Sequence, residues 1–313
     1  MSRTIDARTV GWWWREIARR FGRAKLVFGH GTHDAREEAA WLVCHVLGIW
    51  FADLGSELSR PVEDSEARRL ERFASHRIAT RAPLAYLLHE AWLGGHRFYV
   101  DRRVIVPRSH IAELLPDGLR PWVARRGPKH VLDLCTGSGC LAILAALAFP
   151  GARVDASDIS SAALAVARRN VAAYRLGTRV RVIRSDLFSA LRANRYDLIL
   201  CNPPYVPSQE MRALPAEYRA EPRVALAAGS DGLNYVRRLL FEAGDHLTPG
   251  GTLIVEIGAN RSALARAMPS VPFTWLATTS GESLVFALRR EELAFGAPGP
   301  RRSDRLRRRR TAH

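Results

Sequence analysis

From His130 onward, short apolar runs alternate with longer runs at helical spacing, and this alternation restricts the fold more than any other feature of the sequence. The short runs cover residues 131–134, 153–157, 180–183, 198–201 and 252–257, with two more at 273–276 and 284–288. Helical patterns occupy 140–149, 161–174, a short stretch after Asp186, and 233–246. Strand and helix in turn predict a parallel, doubly wound α/β sheet. Only a few residues separate Leu276 from Leu284. A parallel crossover needs about a dozen, so the last strand is expected to run antiparallel.

Residues 1–90 read differently, as a small helical domain. The tripeptide Trp12-Trp13-Trp14 is expected on the apolar face of a first helix. Asp34, followed three residues later by Glu37, has the form of a capping box. Ala35, Ala39, Leu42, Val43, Val46 and Leu47 then recur at helical spacing until Gly48 stops the run. A further helix over 62–80 would bury Leu70, Phe73, Ala74 and Ile78. His30 and His33 read as loop surface rather than as a ligand pair. Residues 91–120 form a linker, in which 98–100 and 104–106 are β-prone around Asp101-Arg-Arg103 and predict a hairpin. The sheet domain then covers 121–295, and 296–313 reads as a disordered, arginine-rich tail.

The first strand of the sheet runs into Asp133-Leu-Cys-Thr136-Gly137-Ser138-Gly139-Cys-Leu-Ala142 and then a helix. Glycines at this point let the backbone turn sharply and approach a ligand without an intervening Cβ. The same letters satisfy a dinucleotide fingerprint, so the loop alone does not separate NAD from S-adenosylmethionine. Asp133 tilts the choice, because a carboxylate ahead of the glycines suits an ammonium and a sulfonium better than a pyrophosphate. Asp158 ends the second strand, 25 residues later, where an acid commonly receives ribose hydroxyls. Asp186 ends the third. Thr136, Gly137, Ser138 and Gly139 complete the candidate cofactor site.

The fourth strand, Asp197-Leu-Ile-Leu-Cys201, runs into Asn202-Pro203-Pro204-Tyr205. The carboxyl ends of strands form the ligand crevice of an open α/β sheet, so this tetrapeptide falls beside the glycine loop. An amide or aromatic amine nitrogen is a weak nucleophile because its lone pair is delocalised. It needs fixed geometry more than a strong base. The side-chain oxygen of Asn202 and the carbonyl of Pro203 can each accept one N–H. The prolines stiffen the backbone without adding donors, and Tyr205 can stack on the planar group. No Ser/His/Asp or paired-carboxylate arrangement competes for the role.

The antiparallel last strand and the glycine loop resemble class I methyltransferases. N-P-P-Y occurs there in adenine-amine and in glutamine-amide enzymes. The stretch Pro107-Arg108-Ser109-His110-Ile111-Ala-Glu113-Leu is similar to the linker of bacterial protein-glutamine N-methyltransferases, and closest to the branch that modifies a large-subunit ribosomal protein. Leu214-Pro-Ala-Glu-Tyr-Arg-Ala-Glu-Pro222 and Ala227-Ala-Gly-Ser-Asp-Gly232 fit that branch too. The resemblance implies S-adenosyl-L-methionine as cofactor, Asn202 to Tyr205 as the glutamine clamp, and a helical domain that helps recognise the protein substrate. Methylation of release factors or of adenine in nucleic acid stays open at this stage, as does a non-catalytic role in ribosome assembly. Arg108 is either an interdomain surface residue or a substrate contact, and Glu113 a helix-face residue.

Composition bears on partners and location. There are 47 Lys and Arg against 31 Asp and Glu, and only Lys25 and Lys129 are lysines. A GC-rich genome accounts for arginine over lysine but not for a net charge of +16. That excess favours an anionic partner such as ribosomal RNA, met by the surface or by the tail from Arg301. No stretch approaches the roughly 20 apolar residues of a membrane span, and the first residues lack signal-peptide features. A cytoplasmic location is the expectation. The four cysteines, Cys44, Cys135, Cys140 and Cys201, sit far apart in apolar runs and read as free thiols. No metal site is expected.

Overall fold

The computed structural model describes residues 8–279 and 284–293. Three helices, α1 (Val10–Arg23), α2 (Ala35–Leu47) and α3 (Asp64–Thr80), pack around Val10, Ile17, Phe21, Leu42, Val43 and Leu70. Trp13 is buried in that core, and Trp12 and Trp14 lie against it. Asp34 caps α2 through the amides of Arg36 and Glu37. Glu37 reaches back to the amide of His33 rather than to that of Asp34, so the expected box is displaced by one residue.

A short helix, α4 (Leu84–Leu88), leads into the hairpin β1 (Ala91–Leu93) and β2 (His96–Phe98). The hairpin thus lies before the position expected from the valines. Gly94 and Gly95 both take positive φ, at 57° and 76°, which is what a two-residue turn needs for its twist to match the strands. Residues 99–106 are irregular. Asp101 accepts bonds from Tyr99 Oη and from the backbone and guanidinium of Arg103, closing a local turn. Val100, Val104 and Val106 are buried nevertheless. They form a small core with Ala85, Tyr86 and Ala91 before the sheet and Ala163 and Val166 within it, which joins the helical part to the rest.

After α5 (Ile111–Leu114) the chain builds β3 (His130–Leu134), α6 (Cys140–Ala148), β4 (Arg153–Asp158), α7 (Ser161–Ala173), β5 (Val180–Arg184) and β6 (Tyr196–Cys201). Then come α8 (Ser208–Ala213), α9 (Ala216–Arg219), α10 (Asn234–Ala243), β7 (Leu247–Glu256), α11 (Arg261–Ala267), β8 (Thr274–Leu276) and β9 (Val285–Arg289). Residues 186–191 turn without forming the helix expected after Asp186. Ser185 Oγ donates to the carbonyl of Leu187 and receives the amide of Ala190, which satisfies the segment locally.

The strands form one seven-stranded sheet in the order β5-β4-β3-β6-β7-β9-β8. β3 to β7 are parallel, and β9 runs antiparallel between β7 and β8. Order reverses at β3, which lies between β4 and β6. A crevice must therefore open at the carboxyl ends of β3, β4 and β6. One core, containing Val131, Leu198, Leu200 and Ile143, fills the α6/α7 face. A second, with Leu132, Leu134, Ile199 and Leu239, fills the α10/α11 face. Among the described residues, no helix is long and apolar enough to cross a membrane, and no group of His, Cys, Asp and Glu could hold a metal. The cysteines are free, with Cys44, Cys140 and Cys201 buried and Cys135 partly so.

Candidate active site

The crevice at the switch point is walled by the ends of β3, β4, β5 and β6 and by residues 103–105 of the linker. Gly137, Asp158, Asp186, Asn202 and Pro204 all line it. The other expected residues do not. Asp133, Thr136, Ser138 and Gly139 shape the loop behind the wall, Pro203 is buried, and the Tyr205 ring packs against Gly258.

The loop closes on Asp133. One carboxylate oxygen accepts Thr136 Oγ1 at 2.5 Å and the amide of Ala142 at 2.9 Å. Its other oxygen is buried and takes no donor among the described residues. Burial pushes this carboxyl up to about 7. Asp158 receives the amides of Gly137 and Ser160, and burial raises it as well. At Gly139, φ is +82° and a Cβ would stand 3.2 Å from the backbone of Ala167. Only glycine lets α7 come this close to the loop. Asp186 is held by Arg238 of α10, whose two guanidinium nitrogens each lie 3.1 Å from a carboxylate oxygen. It thus meets a cation of the chain itself, in addition to facing the crevice.

Asn202 is half-buried, and its side chain has no hydrogen-bond partner among the described residues. Leu134 and Cys201 are register partners in adjacent strands, so the tetrapeptide starts one strand away from the glycine loop. Tyr205 is fixed from behind. Its carbonyl accepts Asn260 Nδ2 at 2.6 Å, and its ring lies on Gly258 (φ +54°), where a Cβ would sit 2.7 Å away. Burial pushes the phenol up to about 12. Val206 pairs with Ala227, and Ser208 bonds to Gly229 through both its amide and its hydroxyl. The glycine-rich stretch 227–232 is therefore the brace under the tetrapeptide.

Comparison with known proteins adds to this geometry. A Methyltransferase small domain matches residues 119–217, and a PrmC N-terminal domain matches 18–88. The ribosomal protein uL3 glutamine methyltransferase of Bordetella pertussis is 50% identical over 282 residues, covering 89% of this chain and 94% of that protein. Those of Neisseria meningitidis and Burkholderia pseudomallei are 48% and 47% identical, over 88% and 89% of this chain and 90% and 94% of theirs. The chain belongs to the uL3 glutamine methyltransferase family. Its fold is that of a class I methyltransferase, and its cofactor is S-adenosylmethionine.

The residues present fit that cofactor. A methyltransferase of this kind must accept a cation, and the unpartnered oxygen of Asp133 is a buried acceptor without a donor. Ser157, buried in the crevice wall, likewise has an unpartnered hydroxyl. Ile159, next to Asp158, is an exposed apolar side chain in the same wall.

Ser157 and Ile159 were not singled out from the sequence, and neither was Asn170. Asn170 is buried on α7, receives the amide of Tyr99 and donates to the carbonyls of Tyr99 and Ser138, which ties the linker to the glycine loop. An asparagine in the middle of a helical run gave one local signal, since it is a poor helix former there unless its amide is used.

The greatest surprise is an ionic seam. Glu217 and Glu221 flank Tyr218 on the segment after the tetrapeptide, and both are buried. Glu217 receives the amide of Val27 and pairs with Arg81 at 2.8 Å, with buried Arg77 at 3.6 Å. Arg77 also bonds to Glu38 at 2.7 Å. Glu221 receives the amide of Val106 and both terminal nitrogens of Arg108, each at 2.6 Å. Arg108 is thus an interdomain tie and not a free surface residue. His30 is not loop surface either. It is buried against Tyr218, and burial pushes it down to about 4. Glu256 at the end of β7 holds Ser109 and His110 of the linker. Glu113 accepts the amide of Thr279 and pairs with His110, as a helix-face residue does.

Proposed function

We propose that the protein methylates the side-chain amide nitrogen of a glutamine in ribosomal protein uL3. S-adenosylmethionine, when bound, supplies an electrophilic methyl group and leaves as a neutral thioether. Asp133, Thr136, Gly137, Ser138, Gly139 and Asp158 hold it, with Asp186 at the rim. Asn202 and the carbonyl of Pro203 each accept one N–H of the substrate amide, which aims the nitrogen lone pair across the crevice. Tyr205 stacks on the amide plane, and Pro203 and Pro204 keep the carbonyls from shifting. Once nitrogen has bonded to the methyl carbon, the surplus proton passes to solvent. No strong base is required, because positioning alone supplies up to roughly 7–11 kcal/mol in favourable cases. The helical domain of residues 1–90 and the seam at Glu217 and Glu221 hold the segment that presents the substrate chain.

The observation that carries this reading is Asn202. It stands in the crevice wall beside the glycine loop, without a side-chain partner among the described residues, in a chain 50% identical to a glutamine methyltransferase. The test is incubation with labelled S-adenosylmethionine and, in turn, purified uL3, a release factor and duplex DNA. Label on uL3, lost on conversion of its target glutamine to alanine, is the expected result. Label on the release factor alone, on DNA alone, or on nothing would overturn it.

A further inference from the structure

The net positive charge is unevenly placed. Residues 8–90 carry 13 Arg and Lys against 11 Asp and Glu. Residues 153–195 carry nine arginines against three aspartates, with no lysine or glutamate. This stretch is one edge of the sheet, since β5 is the terminal strand.

The arginines of this stretch sit on its strands, its helix and the turns that follow. Arg181 and Arg184 project from β5 itself, and both are exposed. Arg168 and Arg169 on α7, which packs on β4 and β5, and Arg175 just beyond it are exposed too. Arg153 opens β4, and Arg192 and Arg195 follow the turns at 186–191; all three are exposed. The three aspartates offset little of this charge, since each is already engaged. Asp155 holds Arg181, Asp158 receives backbone amides, and Asp186 holds Arg238 from another element. The side chains of Arg153, Arg168, Arg175 and Arg192 have no hydrogen-bond or ion-pair partner among the described residues.

An edge strand needs one or two charges to deter pairing with another chain. Eight exposed arginines, spread over helix, edge and turns, far exceed that need. We propose that this edge is a docking surface for the phosphate backbone of RNA. Guanidinium groups match phosphate oxygens in geometry and charge. The patch offers many cations but few rings on which to stack; Tyr99 already lies under Arg169, at 3.4 Å. Contact with the backbone, independent of sequence, is what such a surface supports. Asp186 at the lip of the crevice adjoins β5, so RNA held here would lie beside the catalytic opening. The inference does not depend on which amide is methylated.

The test measures binding of a fluorescein-labelled 20-base-pair RNA duplex of arbitrary sequence by anisotropy, across a salt series. Three full-length proteins are compared: the wild type, a variant with Arg153, Arg168, Arg175 and Arg192 each changed to Gln, and a variant with the seven arginines of 301–310 changed to Ser. Loss of four phosphate contacts should lower the slope of log affinity against log salt by roughly two to four, and weaken binding at least tenfold at moderate salt. Methyl transfer to free uL3 and the melting temperature should not move. The proposal is overturned if the wild type does not bind RNA, or if only the tail variant loses affinity. It is overturned equally if phosphatidylserine vesicles bind the edge and RNA does not.

Discussion

Asp133 makes the sharpest prediction, because burial has set its carboxyl near 7, in the range where an assay can titrate it. In the unliganded fold the neutral form is favoured, whereas a cationic ligand requires the charged one. Each pH unit below 7 should therefore weaken S-adenosylmethionine by close to tenfold, or about 1.4 kcal/mol. The ligand's own amine titrates near 8, so the window is pH 5.5–7.5. Titration calorimetry should show Kd falling about fivefold between pH 6 and 7 and levelling above. Stability should move the other way. The folded-state carboxyl lies above its ordinary value of 3.8, so the unliganded fold holds the proton more tightly than the unfolded chain. That contribution is complete below pH 4 and is lost as pH rises through 7, on the order of 4 kcal/mol in all. Asp133→Asn keeps an acceptor for Thr136 and Ala142 and removes the titration. Its Kd should be weak and flat with pH, and its unliganded form should gain on the wild type between pH 4 and 7. A wild-type affinity that is flat over the window, or a variant that keeps the full slope, refutes the assignment; the latter result would move it to Asp158.

Four further outcomes follow from the same geometry. Asn202→Ala should reduce methyl transfer by roughly 10²-fold or more while leaving the Kd for S-adenosylmethionine within a few-fold, as single-turnover and binding assays would show. Gly258→Ala drives a Cβ into the Tyr205 ring at a positive φ, and kcat should fall much more than cofactor affinity; an unchanged kcat would mean that Tyr205 need not be held flat on that backbone. Asn170→Leu leaves one buried and two half-buried backbone groups of Ser138 and Tyr99 unpaired, which should cost about 2–4 kcal/mol in urea denaturation and weaken the cofactor as the loop loosens. Arg77→Met strands Glu38 in the interior, while Glu217 keeps Arg81, for a loss of about 3–5 kcal/mol; a change below 1 kcal/mol would show that water reaches the seam.

The sheet and the crevice were legible because their determinants are local in sequence. A central parallel strand is buried on both faces, so Leu198 to Cys201 must be apolar throughout, and the residues at its end must face the ligand. The hairpin was misplaced for the opposite reason. Val100, Val104 and Val106 have strand-forming side chains, but the burial that selects them is a small core against Tyr86 and α7, not a ladder. The glycine pair that turns the chain precedes them.

The ionic seam was not legible at all. Its partners, Val27 and Glu217, are 190 residues apart, and any pattern-based reading assigns Arg77 or Glu221 to the surface, where such residues usually lie. Yet the seam explains a feature that was legible and lacked a reason. Leu214 to Pro222 was noticed only as a likeness to one branch of enzymes, and its two glutamates prove to be the residues that engage the helical domain and the linker. They stand four apart around Tyr218, twelve residues beyond the end of the tetrapeptide at the nearest. A chain that must hold a flexible substrate segment against Asn202 has to anchor the loop after Tyr205, and buried charge anchors it in one register only. A hydrophobic contact of equal area would let the loop slide. On the proposed mechanism the seam sets where the clamp closes, and its variants should alter positioning of the substrate before they alter binding of the cofactor.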